Sequence, residues 1–441
     1  MKKLFNDYGM IAVLLVIAGI LSVLTWSEQH PGGKSGARRL AGEIKANYGD
    51  GGSVLIVAGS HNEALEYSIE LKGGLESAGF KVLKVVNGEA RDARLALAEF
   101  AEANTELTII AGTSVTAKWM VFEGLEQDYP ALGNPSVMAP LTYMWPTFLK
   151  TDNLLNVSNQ IAVIAILAIG MTMVIITAGI DLSVGSLIAL SSVISAWFVV
   201  NVAGALDASA SGMVLSCIGG IVACGLVGLF TGTMVTLFRI PPFIVTLAIM
   251  LMASGFAYMI AGGTSIFKVP DSFTWLGRGT FAGIPVAVIL MLFLYICAHV
   301  MMSKTKLGRA IYAVGGNSEA ARLSGIQVNR VLRWVYFACG LLAGLGGVIL
   351  ASQLKSGSPT YGNMYELYTI AAVVVGGTSL MGGEGKMFGT LIGAFIIGVI
   401  NNGMNLLGVD AYAQKVVLGF VILGAVLLDK LKQGGWRLWA R

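Results

Sequence analysis

Stretches of about 20 apolar residues, repeated along most of the 441-residue chain, constrain its fold more than any other feature. A helix of about 20 residues rises about 1.5 Å per residue and crosses the roughly 30 Å of hydrocarbon in a bilayer. Charged residues make up 12% of the chain, against roughly 25% in soluble proteins. The sequence therefore predicts an α-helical polytopic membrane protein with about ten transmembrane helices, at residues 9–26, 156–178, 183–203, 212–238, 241–262, 282–302, 334–352, 366–382, 388–407 and 412–429.

Acidic residues are concentrated between the first and second predicted spans. The segment 27–142 holds 15 of the 25 acidic residues and 10 of the 29 basic ones. Short β-branched runs alternate there with helical patterns, which is typical of a βαβαβα unit with a parallel sheet. The predicted strands are 53–58, 81–86 and 107–111, and the predicted helices are 63–77, 92–103 and 115–127. The predicted domains are the N-terminus with the first span at 1–26, a small α/β insert at 27–142, a helical core at 143–432 and a tail at 433–441.

Basic residues are unevenly distributed among the predicted loops, which orients the chain in the membrane. Lys2 and Lys3 precede the first apolar stretch, and Leu24-Thr25-Trp26 lacks the small residues of a signal-peptide cleavage site. We therefore expect a retained first span, both termini in the cytoplasm, and a periplasmic insert at a bacterial inner membrane. The loops predicted to be cytoplasmic contain Arg239, Lys304, Lys306, Arg309, Arg322, Arg330, Arg333, Lys430, Lys432, Arg437 and Arg441.

The sequence indicates no energy source of its own. A phosphate-binding loop needs Gly, four residues and Gly-Lys-Ser/Thr, but Glu28 occupies the first glycine position before Gly33-Lys34-Ser35. Ion-coupled carriers have charged residues near the membrane midplane, whereas Asp181 and Glu366 are predicted at span ends. We therefore expect no nucleotide hydrolysis, metal or cofactor in this chain. The net charge of +4 reflects loop bias, so no nucleic-acid partner is inferred.

Neutral polar residues within the predicted spans are candidates to line a path for a neutral polyhydroxyl solute. Two glycine-rich segments, 170–186 and 371–385, predict broken helices of the kind that line cavities. Two interpretations stay open: path lining, and helix packing or, for the aspartate, a plain helix cap. The candidates are Ser191, Ser195, Asn401, Asn402, Asn405, Asp181 and Ser183.

Several short motifs follow one another along the second part of the chain. They are Gly-Ile-Asp-Leu-Ser-Val-Gly at 179–185, Pro-Phe-Ile-Val-Thr-Leu at 242–247, Gly-Gly-Asn at 315–317, Ala-Ala-Arg-Leu-Ser-Gly-Ile at 320–326, Glu-Leu at 366–367 and Val-Val-Gly-Gly-Thr-Ser-Leu-Met-Gly-Gly from 374. From about Phe148 to Asp429 the chain resembles the ABC permeases of the ribose, xylose and galactoside group. The resemblance implies a homodimeric permease in the lipid bilayer that receives a monosaccharide from a periplasmic sugar-binding protein. It also implies that a separate cytosolic ABC ATPase binds the ATP, so the chain itself is not an enzyme.

The loop 303–333 contains a second set of candidate residues. Glu319-Ala320-Ala321, three residues and Gly325 resemble the coupling signature of ABC importer permeases, a short helix that sits in a cleft of the ATPase. Small alanines would allow close approach, and Gly325 can end the helix in a left-handed turn. Asn317 precedes the signature, and Arg309 and Arg322 offer donors to a partner. A solvated basic loop is the alternative interpretation.

The insert departs from the family pattern. It resembles one lobe of a ribose-type sugar-binding protein, so it could dock the binding protein or pass sugar to the pore. A membrane-anchored sugar sensor or scaffold, with the insert as ligand receptor, is the alternative function. A second alternative is an exporter or a lipid-handling permease. Such a protein would be expected to have charged groups near the membrane midplane, and the predicted spans have none there.

Overall fold

The computed structural model describes residues 2–49 and 51–434, with the side chains of 9–49 and 51–427. The chain divides into two compact units, one comprising Met1–Thr25 and Phe148–Arg441 and the other Trp26–Thr147. Part of the predicted tail, residues 435–441, lies outside the described residues.

The second unit is an α/β insert built on a parallel four-stranded sheet. The strand order is β3 (Lys81–Asn87), β2 (Ser53–Ala58), β4 (Ile109–Gly112) and β5 (Ser136–Met138). Helices α2 and α3 contribute apolar side chains to one buried cluster, and α4 contributes to a second cluster. An antiparallel ribbon of β1 and β6 joins the two ends of the insert. After α1 (Lys2–Leu24), its elements are β1 (Trp26–Gln29), α2 (Gly33–Tyr48), β2 (Ser53–Ala58), α3 (Asn62–Ser77), β3 (Lys81–Asn87), α4 (Ala90–Glu102), β4 (Ile109–Gly112), α5 (Leu125–Asp128), β5 (Ser136–Met138) and β6 (Tyr143–Pro146).

The predicted helix at 115–127 is wrong. The chain there forms two short 3-10 turns, and only α5 is α-helical. Thr116 Oγ1 donates to Val57 O at 2.7 Å and accepts from the Thr113 backbone N–H at 2.8 Å, so side-chain bonds replace helical ones. Gly124, with φ 74°, then interrupts the backbone before α5.

The first unit is a bundle of helices, most of them apolar. Among the residues that the structure describes, seven helices are long and apolar enough to span a membrane, namely α6, α7, α8, α9, α11, α14 and α16. Three shorter apolar segments, Gly9–Leu24, Tyr365–Val375 and Ala411–Leu427, accompany them. The elements are α6 (Thr151–Ile176), α7 (Val184–Asn201), α8 (Ala210–Leu237), α9 (Pro242–Ala261), α10 (Trp275–Arg278), β7 (Thr280–Phe281), β8 (Ile284–Pro285), α11 (Val286–Lys304), α12 (Lys306–Gly316), α13 (Ser318–Leu323), α14 (Val328–Leu354), α15 (Tyr365–Val375), α16 (Met387–Leu406) and α17 (Ala411–Gly434).

Glycines allow α14 to pack closely against α8 at the centre of the bundle. A Cβ on Gly344 would lie 2.8 Å from Ile221 Cα, and a Cβ on Gly228 would lie 3.0 Å from Tyr336 C. Such close backbone approach is typical of small residues at membrane helix interfaces. The outward faces of α8, α9 and α11 instead present exposed apolar side chains such as Leu226, Phe256 and Phe293.

The two ends of the bundle are distinct. At the insert end, α1 finishes and α6 begins, and the Phe148 N–H donates to Thr25 Oγ1 at 3.1 Å. Helix α14 runs antiparallel to α6, because Gly170 packs against Cys339 while Gly346 packs against Leu167. Helix α14 therefore finishes at the insert end, and α12 and α13 lie at the opposite end.

The predicted span at 366–382 is not a continuous helix. Helix α15 ends at Val375, and an irregular segment, 376–386, follows before α16 begins. Gly377, Gly382 and Gly383 in this segment have positive φ values of 86°, 86° and 76°. Glycine adopts this conformation at little steric cost, so the glycine-rich run does interrupt the helix as expected.

Candidate functional site

Asp181 lies in the break between α6 and α7 and is 1% exposed. Its Oδ1 accepts hydrogen bonds from the Ser183 backbone N–H at 2.9 Å and from Ser183 Oγ at 2.6 Å. The Cys339 side chain, near the middle of α14, lies beside this carboxyl group. Asp181 therefore lies between two candidate spans, as expected, but its carboxyl group is buried inside the bundle. The cap interpretation is wrong, because Ser183 occupies the N-cap position of α7 without a side-chain cap bond.

A local turn causes this burial. Ala178 has a φ of 59°, which reverses the chain after α6. Gly179 then packs so closely on Tyr336 Oη that a Cβ would lie 2.6 Å from that oxygen. The segment consequently folds back into the bundle, and α7 begins inside the bundle.

Ser191 and Ser195, two predicted path residues, lie on α7 and are fully buried. Ser191 Oγ donates to Gly344 O of α14 at 2.7 Å. Ser195 Oγ packs against Gly220 of α8 and has no hydrogen-bond partner within the described part of the chain. Both residues pack between helices in this conformation, and their place on a path stays a prediction.

The three asparagines Asn401, Asn402 and Asn405 lie within a candidate span, as predicted, but in the last turns of α16 near its end. Asn402 and Asn153 exchange two side-chain bonds, at 2.9 and 3.1 Å, which join α16 to α6 at the insert end. Asn405 Oδ1 accepts from Gln414 Nε2 at 2.8 Å and so joins α16 to α17. Asn401 is half-buried.

A polar stretch between α14 and α15, which the sequence analysis did not single out, packs along α7. We call residues 356–364 the hydroxyl segment, because it contains Ser356, Ser358, Thr360 and Tyr361. Ser358 O accepts from Ser192 Oγ at 3.2 Å, and Ser358 Oγ bonds to Ser265 Oγ at 2.8 Å. The dense run Ser-Gly-Ser-Pro-Thr-Tyr-Gly-Asn was the available sequence signal.

At the opposite end of the bundle, α12 is fastened to two other elements. The Gly383 N–H donates to Ile176 O, the last residue of α6, at 2.8 Å. Gly315 of α12 packs against both of these backbones, since a Cβ there would lie 2.7 Å from Gly383 N. Tyr312 Oη donates to Gly385 O at 2.7 Å. Movement of α12 would therefore displace both α6 and the irregular segment 376–386.

Helix α13 contains most of the predicted coupling residues. Asn317 Oδ1 caps it by accepting from the Ala320 N–H at 2.9 Å. Glu319 and Arg322 form a two-bond ion pair, with Arg322 Nη2 and Glu319 Oε1 2.5 Å apart. The Arg322 guanidinium lowers the pKa of Glu319, and Glu319 raises the pKa of Arg322. Six of the seven predicted coupling residues are exposed to solvent, namely Arg309, Asn317, Glu319, Ala320, Arg322 and Gly325.

Two features of α13 differ from the prediction. Ala321 is 4% exposed and belongs to the main core of the bundle, so it faces its own protein. Leu323 is 77% exposed on the same short helix, and the sequence analysis missed it. A leucine among charged and small residues of a predicted partner-binding loop was the signal that could have identified it.

Within the described residues there is no cluster of three or more His, Cys, Asp or Glu that could hold a metal ion. The bundle combines long apolar helices, two helix breaks and a small helix linked to those breaks. Such a bundle is typical of a polytopic membrane protein.

Comparison with known proteins identifies the family. The model for the permease component of the branched-chain amino acid transport system matches residues 153–426, and the chain belongs to this family. The ribose import permease protein of Escherichia coli K12 is 46% identical over 301 residues, covering 67% of this chain and 91% of that protein. The Bacillus subtilis ribose import permease is 45% identical over 314 residues, covering 70% of this chain and 95% of that protein.

A third relative is more distant. The D-allose transport system permease protein of Escherichia coli K12 is 36% identical over 284 residues, covering 64% of this chain and 85% of that protein. No solved structure matches the chain.

Proposed function

We propose that this chain is the membrane-spanning subunit of an ABC importer for a monosaccharide of the ribose or allose class. The observation that carries the proposal is the similarity over about 300 residues to ribose import permeases. A separate cytosolic ATPase supplies the energy, and the chain itself transports without catalysing a reaction.

The proposed topology has ten crossings, made by α1, α6 to α9, α11 and α14 to α17. Helix α15 has 11 residues and is about 16 Å long, so it crosses only together with the irregular segments on either side. Arg309 and Arg330 are exposed at the end that carries α12 and α13. Basic side chains favour the cytoplasm, which supports placing this end inside and the insert in the periplasm of a bacterial inner membrane.

The proposed ATPase contact is the exposed face of α13. Leu323 supplies apolar surface, while Arg322 and Glu319 supply a charged rim. A conformational change in the ATPase would reach the helix breaks through α12, because Tyr312 and Gly315 hold α6 and the segment 376–386. A sensor that served only as a membrane anchor would not need this connection.

Two further partners complete the proposal. A periplasmic sugar-binding protein delivers the sugar at the insert end, and the α/β insert assists its docking. A second copy of the chain completes the permease as a homodimer. The earlier candidates Ser191, Ser195, Asp181 and Ser183 would then act through helix packing beside the path.

Co-expression with a candidate ATPase and binding protein tests the proposal. Purified complex should hydrolyse ATP faster when loaded binding protein and D-ribose or D-allose are added. Stable recovery of a complex whose hydrolysis responds to neither the binding protein nor any pentose or hexose would contradict it. Leu323→Asp provides a control that should fail to assemble.

A further inference from the structure

The hydroxyl segment enters deep into the helical bundle. Gly357 packs against Ser192 O, so that a Cβ would lie 2.5 Å away, and a Cβ on Gly362 would lie 2.8 Å from Ile188 Cβ. The insert end of α7 is marked by the cluster that joins Val199 to Ala351 of α14. Gly362 also packs on Gly185, 16 residues before Asn201, which is about 24 Å along α7.

Three polar residues at this depth are not buried by their own chain. Thr360 and Asn363 are exposed, and Glu366 in the first turn of α15 is half-buried. Thr360, Asn363 and Glu366 are spaced three residues apart. Thr369 continues the series one turn further, and its Oγ1 is buried with no hydrogen-bond partner in the described part of the chain.

The carboxylate of Glu366 lies against the first turn of α7. Gly185 has no room for a side chain, because a Cβ would overlap Glu366 Oε2 and lie 2.5 Å from Gly362 O. The unpaired N–H groups at the start of an 18-residue helix favour a negative charge at this position. Among the described residues, Glu366 forms no ion pair with a basic side chain.

Exposed side chains on the other long helices are largely apolar. Phe293 on α11 is 60% exposed, and Leu226 on α8 is 57% exposed. Side chains of that kind suit contact with lipid. Ionisable groups and irregular backbone at membrane depth occur instead where a protein lines a water-filled cavity.

We propose that Thr360, Asn363 and Glu366 form the wall of the translocation path that contacts the sugar, on a surface that a second copy closes. The inference rests on the proposed function and assigns its sugar contacts. The Glu366 carboxylate accepts hydrogen bonds from sugar hydroxyls, and the Asn363 amide and Thr360 hydroxyl both donate and accept them. These groups bind a neutral polyol without a fixed ion pair, which lets the sugar leave as well as enter.

Thiol labelling tests the path without requiring transport. In a Cys217→Ala, Cys297→Ala background, Asn363→Cys is compared with Phe293→Cys, since the remaining Cys224 and Cys339 are buried. A charged methanethiosulfonate reacts with thiolates, which form in water and not in lipid. We expect Asn363→Cys to react at least about tenfold faster than Phe293→Cys, and Thr360→Cys to behave like Asn363→Cys. If Asn363→Cys and Thr360→Cys both react as slowly as Phe293→Cys, the inference is overturned.

Sugar uptake tests the role of the carboxylate. Glu366→Gln keeps the shape of the side chain and removes its charge, while Asp207→Asn neutralises an exposed carboxylate in the loop after α7. We expect D-ribose uptake to fall about tenfold or more in Glu366→Gln with normal ATPase binding, and to be unchanged in Asp207→Asn. Normal uptake in Glu366→Gln would overturn the assignment. Failure of the unmodified chain to import any sugar would refute the proposed function instead, while the labelling result would still report on the path.

Discussion

Gly315→Ala should break the connection between α12 and the rest of the bundle. The new Cβ would overlap Ile176 O and lie 2.8 Å from Ile176 C and 2.7 Å from Gly383 N, whereas non-bonded carbon atoms prefer at least about 3.5 Å. Both neighbours are backbone atoms, so one chain segment must move by roughly 0.7 Å or more. The 2.8 Å bond from the Gly383 N–H to Ile176 O then reaches the limit of a hydrogen bond.

The expected loss of stability follows from these two effects. Overpacking in a tight interior costs about 1–3 kcal/mol, and a lost hydrogen bond costs about 1 kcal/mol more. We therefore expect the free energy of unfolding to fall by about 2–4 kcal/mol. The matched control is Gly316→Ala, because a Cβ on that adjacent glycine meets nothing within 4 Å.

Thermal unfolding of the detergent-solubilised permease measures the difference. The reaction of the buried Cys224 and Cys339 with a thiol-reactive dye can report unfolding. Gly315→Ala should unfold at a clearly lower temperature than Gly316→Ala, which should match the unmodified chain. Identical unfolding of the two variants would refute the argument that Gly315 provides the contact.

Three other predictions concern the two ends of the molecule. Leu323→Asp should leave thermal stability unchanged and abolish recovery of the ATPase, whereas ATPase binding at the normal level would remove Leu323 from the interface. The Arg322 guanidinium lowers the pKa of Glu319, so their ion pair should persist as the pH falls to the ordinary glutamate pKa of 4.5 and be lost only below it. An NMR titration that gives Glu319 a pKa at or above 4.5 would contradict this expectation. Ser77→Cys and Ala103→Cys, both at exposed positions of the insert, should react with an impermeant thiol reagent on intact cells, and labelling only after lysis would reverse the proposed topology.

Hydropathy located most of the bundle because a membrane helix needs a minimum apolar length whatever its neighbours are. The long helices α6 and α8 lie close to the predicted spans for this reason. Glycine content also indicated the break after Val375, where three glycines have positive φ. These features depend on local sequence alone.

The candidate site was less predictable because it depends on contacts between distant segments. Asp181 appeared to be at a span end, and only the turn at Ala178 places it beside Cys339. Asn402 resembled a path residue until the alignment of α6 and α16 paired it with Asn153. The hydroxyl segment has the composition of a surface loop, and its packing against Gly185 is what reveals its depth.

The most direct test of the central claim is sugar accumulation in vesicles that contain this chain. With the ATPase, the binding protein and ATP, D-ribose or D-allose should accumulate inside. The chain alone, under a proton or sodium gradient, should accumulate none. Accumulation driven by either gradient without the ATPase would contradict the account.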